Sequence, residues 1–372
     1  MSKRILLMYI CNNSGHQRAC LAIERALRLL EKDIYTKCIN SFNYTNPILE
    51  KIINRTYMAV IKKRPEVWEY LYDNPTVVKK TQRLKENIHR YNSAKMKTLL
   101  DNFKPDAVIC TQAFPCGIVA DLKKTYNLNV PLVGILTDYA PHSYWIYNNV
   151  NAYIVPSEET GRKLIENGVS ETKIKASGIP IDPKFHTESN KEEILRRYSL
   201  EAKKPVILIM GGGQGLGPIK KLASLLDKSL LEMQLVITSG SNRGLYRALI
   251  RNKKSFKKNI VILPFSENVD ELMEIATLLL TKPGGITTAE AMAKKLPMVI
   301  INPLPGQEAM NTCFLLKNRL AVKANDEKEA VVLVEELLSN RDKLANIKKG
   351  IKEHMKSDSS LKIARFILKA AS

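Results

Sequence analysis

The stretch from Thr281 to Asn311, TKPGGITTAEAMAKKLPMVIINPLPGQEAMN, decides the fold of this chain. The apolar run at 276–280 before it predicts a buried parallel strand, and the KPGG turn at 282–285 ends that strand. A helix is then predicted to open at 286–288. Because the start of a helix offers free backbone NH groups and a positive dipole end, this order predicts an anion site that suits a phosphate.

Polar side chains farther along the same stretch add selectivity. Glu290 lies about one turn inside the predicted helix and can accept a hydrogen bond from a sugar hydroxyl, as acidic residues do for ribose. Gln307 and Asn311 share a face if Glu308 begins the next helix, and their amides suit a hexose. Taken singly, the glycines could form a plain turn and Glu290 could be a solvated helix residue. The combination at this spacing favours a binding site.

The segment resembles the donor-binding signature of the glycosyltransferase family that contains the monogalactosyldiacylglycerol synthases, the processive diacylglycerol glucosyltransferases and the lipid II N-acetylglucosaminyltransferases. Four further segments match this family in order: MYICNNSGHQRACLAIERAL at 8–27, TDYAPHSYWI at 137–146, SGIPIDPKF at 177–185 and GGGQGLGPI at 211–219. The resemblance implies an α/β chain of the GT-B fold, with two Rossmann-like parallel-sheet domains that face each other across a cleft.

The resemblance also implies how a UDP-sugar is held. The helix start takes the pyrophosphate, the helix glutamate takes the ribose, the Gln and Asn of PGQEAMN take the hexose, and uracil lies near the strand end at Phe265. The alternative for Phe265 is core packing. The donor-binding residues expected on this basis are Gly213, Gly215, Phe265, Lys282, Gly284, Gly285, Thr287, Glu290, Gln307 and Asn311.

The glycine loop at 211–217 has rival interpretations. Its glycines let backbone approach a ligand closely, as in a dinucleotide fingerprint. However, the strand predicted at 235–238 leads into Ser239-Gly240-Ser241 and not into an acidic ribose partner, and the loop lacks the Gly-Lys-Ser/Thr ending of a P-loop. A nicotinamide-dependent dehydrogenase and an ATPase are therefore disfavoured.

Apolar runs alternate with helical patterns along the chain, which predicts parallel sheets. The expected organisation is a first domain at 1–181, a charged linker at 182–204 and a second domain at 205–357. By the resemblance, a last helix within 358–372 packs back on the first domain. The predicted strands are Arg4–Ile10, Ile34–Ile39, Ala107–Cys110, Leu132–Leu136, Ala152–Val155, Val206–Met210, Leu235–Thr238, Ile260–Leu263, Ala276–Leu280, Met298–Ile301 and Leu320–Lys323.

Two residues are candidates for the general base. His16 lies in the NNSGH loop after the first strand, and a histidine can carry a proton near neutral pH. It could instead brace the first helix. Asp138, at another strand end, is the rival base or orients His16 or the acceptor, and His142 and Trp145 are expected along the acceptor path. Since the chain has no DxD motif, no metal or other cofactor is expected beside the UDP-sugar substrate. Transfer is also expected to invert the configuration at the anomeric carbon.

Composition points to an anionic partner. The 372 residues suffice for two domains and carry 58 basic against 37 acidic side chains, a net charge of +21. Nucleic acid is disfavoured because no arginine-rich tail, zinc-finger spacing or RNP motif occurs. Six cysteines without a CxxC pair predict free thiols in a reducing cytosol. Without a signal peptide or an apolar run of about 20 residues, the protein is expected to meet a membrane from one side only.

The segment 47–72 is the expected acceptor and membrane contact. It combines an apolar stripe, a basic rim and aromatic residues, as segments lying in a membrane surface do, although an ordinary core helix would share the stripe. Residues 51–97 hold twelve basic and four acidic side chains. The residues expected to contact acceptor or membrane here are Ile52, Ile53, Arg55, Tyr57, Lys62, Lys63, Arg64 and Trp68.

The family resemblance, together with these features, implies a hexosyltransferase at the inner face of the cell membrane. It would move glucose or galactose from a UDP-hexose to 1,2-diacylglycerol, with anionic lipids as partners and no nucleic acid. Transfer of N-acetylglucosamine to a polyprenyl-linked lipid and a non-catalytic UDP-sugar sensor are the alternatives.

Overall fold

A computed structural model describes residues 2–48, 51 and 92–372 of the chain. The chain divides into two compact units. The first comprises Met1–Pro183, Pro305–Gln307 and Asp358–Ser372, and the second comprises Lys184–Leu304 and Glu308–Ser357. The C-terminal segment thus belongs to the same unit as the N-terminal half.

Each unit is built on one parallel sheet. In the first unit the strand order is β2-β1-β3-β4-β5-β6, and in the second it is β12-β11-β10-β7-β8-β9. The strands are β1 (Arg4–Tyr9), β2 (Tyr35–Asn40), β3 (Ala107–Cys110), β4 (Leu132–Ile135), β5 (Ala152–Val155), β6 (Ile174–Ala176), β7 (Val206–Met210), β8 (Gln234–Thr238), β9 (Ile260–Leu263), β10 (Leu278–Thr281), β11 (Met298–Ile300) and β12 (Ala321–Lys323).

Helices connect the strands, as parallel pairing requires. In chain order they are α1 (Gly15–Leu30), α2 (Ser41–Thr45), α3 (92–103), α4 (Ala113–Tyr126), α5 (Glu158–Glu166), α6 (Lys191–Arg197), α7 (Ile219–Asp227), α8 (Arg243–Arg251), α9 (Val269–Ile275), α10 (Gly285–Ala293), α11 (Gln307–Lys317), α12 (Glu327–Ser339), α13 (Arg341–His354) and α14 (Ser359–Ala370). Among the described residues, no helix is both long and apolar enough to cross a membrane.

The first sheet is covered on both faces, because successive side chains of a strand point to opposite sides. Leu6 and Met8 of β1 join one buried cluster, and Ile5 and Leu7 join the other. The second cluster includes residues of α1 and α14, which pack against each other. The Ser359 hydroxyl donates to the Ile179 carbonyl at 2.7 Å, which fixes the start of α14 on this unit.

The segment expected as a linker, 182–204, belongs to the second unit from Lys184 onward. Its Lys184 Nζ lies 2.6 Å from Asp270 Oδ1, and its Arg197 Nη1 lies 2.7 Å from Glu271 Oε2. Both carboxylates belong to α9. Two of its charged side chains therefore form ion pairs with a neighbouring helix, which the expectation of a charged linker did not include.

In each sheet, one gap between strands is a topological switch point, where the chain reverses its direction of progress across the sheet. It lies between β1 and β3 in the first sheet and between β7 and β10 in the second. Ligands of open α/β sheets bind beyond the carboxyl ends of the strands at such points. Three of these four strands lead into expected site residues: His16 follows β1, Gly213 and Gly215 follow β7, and Lys282 and Gly284 follow β10.

Of the twelve strands found among the described residues, eleven were predicted, with ends that differ by two residues at most. The strand missed is β6, whose three residues are only partly buried at the edge of the first sheet. The helix predicted near 359–370 is α14.

Candidate active site

The loop after β1 is shaped by its own polar residues. Ser14 caps α1 by accepting from the Gln17 NH, while its hydroxyl donates to the Cys11 carbonyl at 2.6 Å. Asn13 adopts φ of 58°, a left-handed conformation that asparagine tolerates, and its NH donates to Gln17 Oε1 at 2.6 Å. These contacts place His16 in the first turn of α1.

His16 is held by one side of its ring. Its Nδ1 lies 2.8 Å from the Thr111 carbonyl and 3.2 Å from Thr137 Oγ1. Because a carbonyl oxygen only accepts, Nδ1 carries a proton and the neutral imidazole keeps its lone pair on Nε2. Burial lowers the pKa of His16 below its ordinary 6.5, and the Asp138 charge and the Thr111 carbonyl offset this only in part. The ring is therefore neutral and able to accept a proton near pH 7.

A small cavity in the first unit brings together the residues expected for catalysis and acceptor binding. His16, Asp138, His142 and Trp145 line it, with Thr137 beside them. The rings of His142 and Trp145 lie 6.3 Å apart, and Trp145 is buried in the adjoining core cluster. The eight expected acceptor or membrane residues from Ile52 to Trp68 lie outside the described residues.

The glycine loop after β7 is tightly folded. Gly215 adopts φ of 58°, and a Cβ there would collide with the Ser239 carbonyl. The Gly213 carbonyl accepts from the Ser241 NH at 2.9 Å. The loop therefore requires glycine at Gly215 for its own conformation, whatever it binds.

The helix start after β10, unlike the glycine loop, has open space around its glycine. Gly284 is the N-cap of α10 with φ of −66°, and a Cβ there would meet nothing within 4 Å. In the described part of the chain no side chain caps this helix, and its first turn holds no acidic residue. Its amino end therefore remains suited to an anion.

A buried cation lies next to that helix start. Lys282 Nζ is 3.0 Å from Glu308 Oε1, and the other carboxylate oxygen accepts from the Leu304 NH at 2.7 Å. The Lys282 side chain is 9% exposed and that of Glu308 is 19% exposed. Glu308 thus joins the two loops that the sequence assigns to the donor.

The other expected donor residues occupy varied environments. Gly285 and Glu290 are buried, Thr287 and Gln307 are half-buried, and Phe265 is 41% exposed, so Phe265 is not core packing. Asn311 is buried and its Nδ2 donates to the Pro283 carbonyl at 3.0 Å. In this structure Asn311 braces the KPGG turn, and its contact with a hexose stays a prediction, as do the other donor contacts.

Three residues that shape the site were not singled out from the sequence. Thr111 and Thr137 hold His16. Thr111 directly follows β3 and Thr137 lies two residues after β4, and a polar residue just after a buried strand is the available signal. Glu308 follows Gln307 in the same motif. As an acidic residue in the first turn of α11 it resembles an ordinary helix-start residue, so its pairing with Lys282 is visible only in three dimensions.

Comparison with known structures identifies the fold of the chain. The chain aligns over 99% of its length with 99% of Acinetobacter baumannii MurG, at 14% identity and a TM-score of 0.65. It aligns over its whole length with 99% of Medicago truncatula UGT71G1 complexed with UDP-glucose, at 14% identity and a TM-score of 0.62. This likeness, together with the two parallel sheets, shows that the chain has the GT-B fold.

Sequence comparison identifies the family to which the chain belongs. Residues 16–181 match the model of monogalactosyldiacylglycerol synthase, and residues 190–354 match that of glycosyl transferases group 1. The chain is 30% identical to a processive diacylglycerol beta-glucosyltransferase of Bacillus subtilis (strain 168), over 99% of this chain and 95% of the relative. A protein of the same description from Bacillus cereus (strain B4264) is 30% identical over 94% of this chain and 89% of its own. The chain belongs to this family of diacylglycerol glycosyltransferases and is a hexosyltransferase.

Proposed function

We propose that this enzyme transfers a hexose from a UDP-sugar to the 3-hydroxyl of 1,2-diacylglycerol, with glucose as the first donor to test. The observation that carries the proposal is the identity of 30% with a processive diacylglycerol beta-glucosyltransferase over nearly the whole of both chains. The sites described above would supply the chemistry that such a transfer needs.

The donor would lie at the switch point of the second sheet. Its pyrophosphate would meet the amino end of α10 at Gly284 and Gly285, with the Lys282 ammonium nearby. Glu290 would accept from the ribose, and Gln307 and Asn311 would contact the hexose. Gly213 and Gly215 of the glycine loop, Thr287, and Phe265 as the base platform complete the proposed donor site.

The reaction would proceed by one displacement. The acceptor oxygen attacks the anomeric carbon and forms the new C–O bond as the bond to the UDP oxygen breaks, and the bonding pair leaves with UDP. The hydroxyl proton passes to Nε2 of His16, whose lone pair the Thr111 carbonyl keeps available by fixing the proton on Nδ1. Asp138 stabilises the imidazolium that forms. An α-linked donor would thus yield a β-glycoside.

We propose that the charge growing on UDP is met by protein groups, so that transfer needs no metal. The helix end and Lys282 supply positive charge where the leaving phosphate develops negative charge. This proposal rests on those two groups and on the lack of a DxD motif in the sequence.

The acceptor would come from a membrane. We propose that the basic and aromatic segment from Ile52 to Trp68 contacts an anionic bilayer at the cytoplasmic face, with His142 and Trp145 lining the path of the acceptor hydroxyl. Electrostatic recruitment of about 1 kcal/mol per basic residue near such a surface would be reversible.

Incubation of the purified chain with diacylglycerol vesicles and a panel of UDP-sugars, followed by mass spectrometry of the lipids, tests the proposal. The expected product is a β-hexosyldiacylglycerol, formed equally well in the presence of EDTA. A glycosylated polyprenyl lipid as the only product would favour the rival transferase. Binding of UDP without any transfer would favour a sensor.

A further inference from the structure

A long stretch of the second unit is basic without any acidic residue. Between Glu232 and Glu267 the sequence holds seven Lys and Arg side chains and no Asp or Glu. Six of the seven are exposed: Arg243, Arg247, Arg251, Lys253, Lys254 and Lys257, which we call the α8 basic surface. The seventh, Lys258, is half-buried and its Nζ donates to the carbonyls of Ser229 and Leu231.

The α8 basic surface has a regular geometry. Leu249 is the buried residue that anchors α8, and a single 3-10 turn, Lys253–Ser255, follows the helix. Arg243, Arg247 and Arg251 follow each other at intervals of four, so they share one face of α8. Ile250, which is 42% exposed, lies on the same face. The face thus presents a row of guanidinium groups with an apolar side chain among them.

The cations of this surface are not neutralised within the protein. In the part of the chain that the structure describes, no carboxylate lies within ion-pair distance of any of the six. On other helices of this unit some cations are paired: Lys221 of α7 pairs with Glu327, and Lys343 of α13 pairs with Glu336. Unpaired cations in a row attract an extended array of negative charge more strongly than a single ion.

We propose that the α8 basic surface docks on an anionic lipid bilayer and gives the second unit a membrane contact of its own. Charge complementarity supplies the attraction. The exposed Ile250 can enter the apolar edge of the headgroup layer, and this apolar contact distinguishes a bilayer from a free phosphate ion. The inference rests on the proposed function for one point only, that the acceptor is a lipid, which makes a bilayer the anionic partner.

The test compares the full-length chain with two variants of equal charge change. One carries Arg247→Gln, Arg251→Gln and Lys254→Gln. The matched control carries Lys348→Gln, Lys349→Gln and Lys352→Gln, which alter three exposed cations of α13 in the same unit. Binding is measured by cosedimentation with vesicles of phosphatidylcholine alone or mixed equally with phosphatidylglycerol. Transfer is measured separately, with diacylglycerol in neutral detergent micelles.

We expect the α8 variant to lose about a hundredfold in partition onto anionic vesicles at low salt, from three contacts near the surface. The control should lose far less, and all three proteins should transfer equally in micelles. Equal losses in both variants, or none, would overturn the inference. So would wild-type binding to duplex DNA that is tighter than to anionic vesicles and lost in the α8 variant.

A variant with Arg247→Lys and Arg251→Lys guards against a folding defect, since it keeps the charges and should keep vesicle binding. Loss of binding there would contradict the electrostatic basis. Because vesicle binding is measured without a donor, failure of the transfer reaction alone would refute the proposed function and leave this inference intact.

Discussion

His16 is the residue on which the proposed chemistry depends. Its Nδ1 is committed to the Thr111 carbonyl at 2.8 Å, which leaves Nε2 for the acceptor proton. We predict that His16→Asn lowers kcat by about 10² to 10⁴, the usual contribution of a general base, without changing the Kd of UDP. The control is His354→Asn, since His354 Nδ1 also contacts a carbonyl, that of Gly350 at 3.0 Å, but is exposed on α13. A normal kcat in the His16 variant would contradict its role as base.

The pH dependence tests the same residue and its neighbour. Burial lowers the pKa of His16 below 6.5, so the neutral base persists as the pH falls past that value. We predict that kcat/KM begins to decrease only at pH values below 6.5. Asp138→Asn removes the charge that raises this pKa, so the acid limb should move to still lower pH while much of the activity remains. A uniform loss of kcat/KM at every pH would instead make Asp138 the base.

Substitutions at two glycines of the second unit distinguish an effect on ligand binding from an effect on stability. At Gly284 an added Cβ has open space and an ordinary φ, whereas at Gly215 it would meet the Ser239 carbonyl at positive φ. We predict that Gly284→Ala keeps its unfolding free energy but binds UDP about tenfold more weakly, because a pyrophosphate must approach the backbone there. Gly215→Ala should lose about 1–3 kcal/mol of stability. Calorimetry and denaturant unfolding measure both effects, and unchanged UDP binding by Gly284→Ala would remove the pyrophosphate from the start of α10.

At the scale of elements, the loop after β10 and the start of α11 are joined by the ion pair between Lys282 and Glu308. We predict that Glu308→Gln lowers the unfolding free energy by about 1–3 kcal/mol, since a buried ammonium loses its charged partner. Added UDP should then stabilise this variant more than it stabilises the wild type, because the ammonium becomes available to the pyrophosphate.

The matched control for that experiment is Glu327→Gln, which breaks the exposed pair with Lys221 at 2.8 Å. It should respond to UDP as the wild type does. If Glu308→Gln and the wild type gain equally from UDP, Lys282 does not contact the donor.

The sequence was sufficient for most elements because buried parallel strands are continuous apolar runs, as β7 and β10 illustrate. It did not predict β6, because this strand has only three residues and lies partly exposed at the edge of its sheet. The KPGG turn correctly predicted the start of α10, because glycine and helix-start signals are local, while the anion site there stays a prediction. The tautomer of His16 could not be predicted, since it depends on a carbonyl 95 positions away.

At the scale of the whole molecule, α14 completes the core of the first unit. Ile367 is fully buried in the cluster that includes Ile23 of α1. We predict that Ile367→Ala costs about 2–5 kcal/mol in the unfolding of that unit, whereas Arg365→Ala on the exposed face costs little. Tryptophan fluorescence follows this transition, because both tryptophans, Trp68 and Trp145, precede residue 184. An unchanged midpoint in the Ile367 variant would contradict the packing of α14.

The sequence position of α14 also has a consequence for biosynthesis. On the ribosome, the first half of the chain emerges well before the helix that seals one side of its sheet, and the whole second unit is synthesised in between. The nascent first half therefore exposes the apolar side of α1 until α14 has been synthesised. During that interval it is a natural client for a chaperone, and a nonsense mutation shortly before codon 359 would leave an aggregation-prone product.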